Sequence, residues 1–475
     1  MESNLSEPER NVSDFRATIP EDARPRLRAF IIAVPLLVAI CFVSVYADMV
    51  SQTVQFGVLQ IAPPAVVALF ALSLLHRGVA RLLRRTLLSR ADLLVIYVML
   101  LVGVMVSTRG TIEKVIPPLA YLPYFGNDDN SLNIDITRHL PAWAMPYTPS
   151  AALKLPETIK QYYEGVRPGE GYSLSVWVGP LCAWFILIAC VVWLLICLAT
   201  ILRRRWVEEE RLTFPLTRLP LAILNNEVEH QPFLRNTTLW IGFFIAVVVF
   251  GINGLSANIP AIPNITLDLD ISQFFTTRPW NQMDGIRLWT SLAAIGFAYF
   301  LPNDLLFSLW FFFLMTRVED LITTMLGSDP QSIVTHNARI FTGYQAAGAY
   351  IVLIVAQVRL AWPFLRQAFS TAFSGTGQRN AFDKDEMLSY RAAFLGIVVA
   401  FGAIVLWLSL AGMNPWLAVF QMGIYLFVIV VIMTRSVSEA GLLMTETSFL
   451  PSHLIRLVQP LPLLGAQNLS LLALT

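Results

Sequence analysis

Residues 174–201 read LSVWVGPLCAWFILIACVVWLLICLATI, without one charged side chain, and Arg203, Arg204 and Arg205 follow at once. A helix needs about 20 apolar residues to cross the hydrocarbon core of a bilayer. This run is long enough, and its arginine stop marks the side on which it ends. Similar runs recur at 29–47, 56–75, 91–107, 239–256, 287–301, 305–325, 344–362, 392–411 and 416–434. The expected fold class is therefore all-α: a polytopic transmembrane helical bundle of about ten spans, with room for up to twelve, including re-entrant or broken segments.

Composition agrees. Of 475 residues, 56% are hydrophobic and 14% are charged, and the formal net charge is +1. Soluble domains carry about 25% charged residues, so a string of soluble domains is excluded. Disorder needs low hydrophobicity, and a basic nucleic-acid binder needs a strong positive excess. The four cysteines, Cys41, Cys182, Cys190 and Cys197, all lie inside apolar runs. They read as small buried hydrophobes rather than as a disulfide framework.

The expected organisation is a cytoplasmic tail at 1–28, three spans within 29–107, an extracytoplasmic cap at 108–173, and the remaining bundle at 174–475. The first apolar run is long and lacks a cleavage site, so it reads as a retained span. Arginines concentrate in the tail and in the 76–90, 202–238 and 363–391 loops, whereas 48–55 and 412–415 carry none. The positive-inside rule then places the N-terminus in the cytoplasm, and the expected location is a cell inner membrane. The weakest span is 305–325, which contains Arg317, Glu319 and Asp320. If that run only dips into the membrane, every later segment inverts. Residues 461–475 are apolar but too short to span, which suggests a truncated chain or an end that packs on a partner.

Several chemistries are missing. No Gly-Lys pair exists, so there is no phosphate-binding P-loop. HExxH, GxSxG and the kinase set are absent. The five histidines are scattered, and no metal site, cofactor or catalytic residue is expected. The 108–173 segment is rich in Pro, Tyr and Trp. It reads as a cap with its aromatics at the interface, or more sharply as a lid over an entrance. Asp128 and Asp129 read as a turn.

Three stretches stand out. The first is RRRWVEEERLTFPLTRLPLAIL at 203–224. Its glutamates lie about one helical turn from arginines, and Pro215 and Pro220 preclude a regular span. A re-entrant or interface segment fits, which singles out Glu209, Thr213 and Pro215. The second is Pro302-Asn303-Asp304, which interrupts an apolar stretch. It is either a hairpin turn or a broken helix of the kind that holds solutes and ions, with Asn303 and Asp304 as ligands. The third is MTRSVSEAGLLMTETSFLP at 433–451, where Glu439 lies four residues after Arg435 and is a candidate proton-coupling carboxylate. Val207-x-Glu209-x-x-Leu212 echoes Val437-x-Glu439-x-x-Leu442. Asn253 and Gln421 are polar groups within spans, commonly helix-packing contacts. Pro63 and Pro64, after Gln60, are expected to kink the second span.

WVEEERLTFPL (206–216), RLWTSLAAIGFAYFLPNDLLFSLWFFFLM (287–315) and SEAGLLMTE (438–446) resemble an uncharacterised family of large bacterial polytopic membrane proteins. The likeness covers most of 29–475, and its most specific element is Glu210–Pro215. That family is in turn distantly similar to the oligopeptide transporter superfamily, which couples proton flow to uptake of peptides or metal chelates. The other glycine-rich signatures of those carriers are absent here.

The resemblance and the broken segments together imply a secondary transporter of a small solute or peptide, with proton coupling. The expected partners are the bilayer, the solute and protons, with no nucleic acid, and a homo-oligomer or a missing C-terminal part in addition. The alternatives are a membrane enzyme acting on a lipid-linked substrate beneath the cap, and a membrane scaffold subunit.

Overall fold

In the computed structural model, the structure describes residues 25–51, 57, 59–84, 88–125, 139–147, 156–224, 236–283, 286–327, 339–373, 386–458 and 461–474. Most of the N-terminal tail, Asp128, Asp129, Arg379, Lys384, His230 and His336 lie outside them. The described residues are mostly helical, with very little strand. Eight of their helices are long and apolar enough to cross a membrane.

The chain divides into two compact units, Met1–Glu113 with Leu216–Ile262, and Lys114–Pro215 with Pro263–Thr475. In the first unit, α1 (Leu27–Val45) runs into a π-helical turn at Tyr46–Ser51, followed by α2 (Pro63–Leu83) and α3 (Arg90–Ser107). Pro63 and Pro64 open α2 rather than kink it. A missing N–H costs nothing in a first turn, where that donor has no helical partner. Ser89 and Asp92 form a capping box at the start of α3. Asp92, fully buried, also accepts the Arg26 amide at 2.8 Å and the Arg28 guanidinium at 3.3 Å. The clamp joins the starts of α1 and α3, so the two run parallel with α2 returning between them. Gly103 lets them close up, since a Cβ there would lie 2.0 Å from Leu37 Cδ1. α8 (Thr237–Asn258) belongs to the same unit and buries none of its residues.

Between them in sequence lie α4 (Ile112–Phe125), α5 (Glu157–Glu164), α6 (Ser175–Arg204) and α7 (Pro215–Leu224). In the second unit, the 140–147 segment packs on α6: the Trp184 indole donates to Ala144 O at 3.0 Å. Burial there pushes the Tyr147 phenol well above its ordinary pKa. A short antiparallel hairpin pairs β1 (Asp268–Asp270) with β2 (Arg287–Trp289), placing Asp270 opposite Arg287. Then come α9 (Leu292–Ala298), α10 (Asn303–Met325), α11 (Ile340–Phe373) and α12 (Tyr390–Leu410). α13 (Pro415–Ile424) continues through a π-helical turn, Tyr425–Ile429, into α14 (Val430–Ala440). α15 (Pro451–Val458) and α16 (Ala466–Leu474) close the chain.

The main core of this unit joins α6 to α12 through Trp184, Leu187, Leu194, Ile404, Trp407 and Leu408. The two helices are antiparallel. The Trp407 indole donates to Ala183 O at 3.1 Å near one end, and Arg203 meets Glu386 at 2.6 Å near the other. The 466–474 segment, read from sequence as an apolar end, folds back on this core: Leu471 is buried in it, and Asn468 accepts the Asn414 amide at 2.8 Å.

Two of the ten apolar runs differ from expectation. The run 287–301 is no spanning helix: it forms β2 and then α9, only 7 residues long. At 1.5 Å per residue α9 covers about 10 Å. The run 305–325 lies in α10, whose 23 residues are sufficient in length but include Asp304, Arg317, Glu319 and Asp320.

Candidate functional site

The candidate site lies in the second unit, where α6 and α14 end side by side. α6 does not stop cleanly at its arginines. Its last turn widens into a π-helical turn at Arg205–Glu209, a feature frequent at functional sites. The chain then turns sharply, with Arg211 at φ 51° and Phe214 at φ 43°. Left-handed backbone at non-glycine residues costs of order 1–3 kcal/mol each and persists only where surrounding contacts dictate it.

Those contacts come from α14. The last carbonyls of a helix have no intrahelical donor. Here the Phe214 amide donates to Ser438 O at 2.9 Å, and the Thr213 hydroxyl donates to Glu439 O at 3.0 Å. Gly441, at φ 61°, ends α14 directly over Pro215. A strained segment from one helix end thus caps the other.

An ionic lattice spans the same junction. Arg435 bridges Glu210, by a very short contact, and Glu439 at 3.6 Å. Glu210 also accepts from Arg205 at 2.6 Å, and Arg205 approaches Glu209 at 3.7 Å. Arg203 grips the nearly buried Glu386 through two hydrogen bonds of 2.6 and 2.8 Å, bidentate geometry that only arginine supplies. Beside the lattice is a cavity of about 360 Å³. Its walls are apolar, with Leu195, Leu198, Leu202, Val207, Phe214, Val430 and Val431, and its polar lining is Arg203, Thr434 and Ser438. The arrangement offers no nucleophile with an adjacent base. It can enclose a mostly apolar body beside polar groups.

A family model described as a family of unknown function, DUF6785, matches residues 20–475. The chain belongs to that family. No curated protein and no solved structure matches it. The DUF6785 match carries no likeness to oligopeptide carriers, which rests on the Glu210–Pro215 run alone.

Of the residues singled out in this DUF6785 chain, Glu209, Thr213, Pro215 and Glu439 come together at the junction. Glu439 is a surface group there, its side chain 61% exposed. Asn303 and Asp304 open α10 and are exposed, away from this cavity's lining. Asn253 lies in α8, in the first unit. Gln421 is in the α13 core at 4% exposure, and its side-chain carbonyl oxygen has no hydrogen-bond partner. Among the described residues, no group of three or more His, Cys, Asp or Glu is placed to hold a metal ion.

Sequence reasoning placed Glu210 and Phe214 in the most specific run but gave them no role as site residues, and it passed over Glu386 and Ser438. The echo of Val207–Leu212 in Val437–Leu442 contains Glu210 and Ser438. Its equivalent positions, Arg211 and Gly441, are both left-handed, and the residues just past the first copy, Thr213 and Phe214, donate to Glu439 and Ser438 of the second. Glu386 had no signal, because its partner lies 183 residues away.

Proposed function

We propose that this chain is an integral membrane protein and a secondary transporter, moving a small solute or peptide in a proton-coupled cycle. The observation that carries the reading is the cavity at the α6–α14 junction, bounded by strained backbone and closed by separable polar contacts. Alternating access needs an element with two arrangements of small energy difference. A helix end capped by another segment, rather than by its own turn, is such an element. The eight apolar helices and the arginine-rich loops support a multi-pass inner-membrane protein with a cytoplasmic N-terminus. In that orientation the junction opens to the cytoplasm.

The test is uptake of a panel of metabolites and short peptides into proteoliposomes, with and without an inward proton gradient. A gradient-dependent flux, lost in Arg435→Gln while the protein stays folded, is the expected result. No flux for any solute, together with turnover of a lipid-linked donor, would replace the transporter with a membrane enzyme.

A further inference from the structure

The relative directions of three helices, α6, α11 and α12, bear on what α10 does. α12 is antiparallel to α6, as the Arg203–Glu386 and Trp407–Ala183 contacts require. α11 ends where α12 begins: Phe364, Ala368 and Ala372 pack with Tyr390 and Ala393, together with Cys197 and Ile201 near the end of α6. α11 therefore runs in the same direction as α6. Two parallel spans must be separated by an odd number of crossings. Between Arg204 and Ile340, α8 is long and apolar enough to supply one. α9 is too short to supply another, since a crossing takes about 20 helical residues. If α10 crossed, the count would be two. Loss of both weak runs also preserves the direction of every later span, which loss of one alone would have inverted.

α10 is nevertheless built for lipid in its first half. Phe307, Trp310, Phe312 and Leu314 are exposed, and no residue of α10 before Asp320 is buried. A helix segment apolar all round belongs in a membrane or a protein interior. Its second half is built for an anchor. Asp320, fully buried, lies 3.2 Å from Arg317 and 3.3 Å from Arg339, just ahead of α11, and Arg339 also donates to Gln282 O at 3.3 Å. This ties the end of α10 to the membrane face at which α11 enters. The apolar stretch 305–315 is about 16 Å long as a helix, and 292–301 at most about 15 Å. Each matches half of a hydrocarbon core about 30 Å thick.

We infer that α9 and α10 form a re-entrant hairpin that enters and leaves one leaflet from a single face, surrounded by the acyl chains of that leaflet. Pro302, Asn303 and Asp304 form its tip, no deeper than the midplane. The inference rests on the chain's crossing a membrane and not on transport, so failure of the uptake assay leaves it standing.

The experiment is single-cysteine accessibility in the full chain, with the four native cysteines replaced. Thr290→Cys and Met325→Cys flank the hairpin, and Phe274→Cys and Leu326→Cys form a second pair should either of the first misfold. A membrane-impermeant maleimide is applied to intact cells and to inverted vesicles. Both members of a pair label from the same face and are protected from the other. A spin label at Phe312→Cys shows high accessibility to oxygen and low accessibility to a water-soluble nickel chelate. Labelling of the pair from opposite faces, or a Phe312→Cys label open to the nickel chelate, overturns the hairpin.

Discussion

The Thr213 hydroxyl donates to the main-chain carbonyl of Glu439 at 3.0 Å, joining residues 226 apart in sequence. With the Phe214 amide on Ser438, it makes the end of one membrane-length helix depend on the turn that follows another. What holds that dependence in place can be tested residue by residue.

Gly441 is the closest approach. A Cβ there would lie 2.6 Å from Pro215 Cβ, and the backbone is left-handed. Gly441→Ala combines left-handed strain with overpacking and is expected to cost about 2 kcal/mol or more. Gly251→Ala in α8, where a Cβ meets nothing within 4 Å, changes stability by no more than about 1 kcal/mol. Unfolding in detergent, followed by tryptophan fluorescence, separates the two.

Arg435 divides its charge unequally. Glu210 is about as sheltered as Arg435 itself, whereas Glu439 is 61% exposed. Glu439→Gln is expected to shift stability by about 0–1 kcal/mol, since exposed pairs contribute little. Arg435→Gln leaves Glu210 short of a charged donor and costs about 1–3 kcal/mol. Denaturant titration of the two variants in one detergent reads the difference. Equal effects would contradict the bridging role of Arg435.

Gly396 sets the spacing of α6 and α12. A Cβ on it would lie 2.6 Å from Cys197 Sγ and 3.0 Å from Trp193 Nε1. Gly396→Ala is expected to destabilise by about 1–3 kcal/mol. Adding Cys197→Ala removes the closer of the two contacts and recovers part of the loss. A double-mutant cycle on thermal midpoints therefore gives a coupling of opposite sign to the single change. Strict additivity would mean that the helices separate elsewhere.

The β1–β2 hairpin carries a pH dependence. The Ser272 hydroxyl holds the Asp270 carboxyl below its ordinary pKa, with help from the Ser272 amide and Arg287. A depressed native pKa stabilises the fold above the unfolded value and loses that contribution as pH falls through the native one. Hydrogen exchange in 268–270 and 287–289, corrected for its intrinsic pH dependence, should quicken in acid. In Asp270→Asn it should be fast throughout and lose that acid response.

Much of the helical content was legible in the sequence, and so was the special character of 203–224 and 433–451. The first follows from composition, since a long apolar run has few places to go but a membrane. The second follows from local chemistry, because prolines and paired charges beside a span cannot continue it. The misjudged elements were those whose outcome is not local. Pro63 and Pro64 suit a helix start as well as a kink, and only the preceding left-handed Ala62 decides between them. The run 287–301 is apolar enough to span, yet its first residues pair with 268–270 in a hairpin. The sequence left the burial of Glu439 open, and the tertiary structure places its side chain 61% exposed at the end of α14.

The sequence by itself determined which segments are apolar, where arginines stop them, and which two stretches break the pattern. These are properties of residues and their immediate neighbours, and hydropathy records them directly. The tertiary structure alone decided that 213–215 and 438–441 meet, that Glu386 belongs to Arg203, and that α11 runs in the same direction as α6. Each of these depends on which helix ends lie side by side. That is settled by close packing at positions such as Gly396 and Gly441, and by charged groups whose partners are distant along the chain.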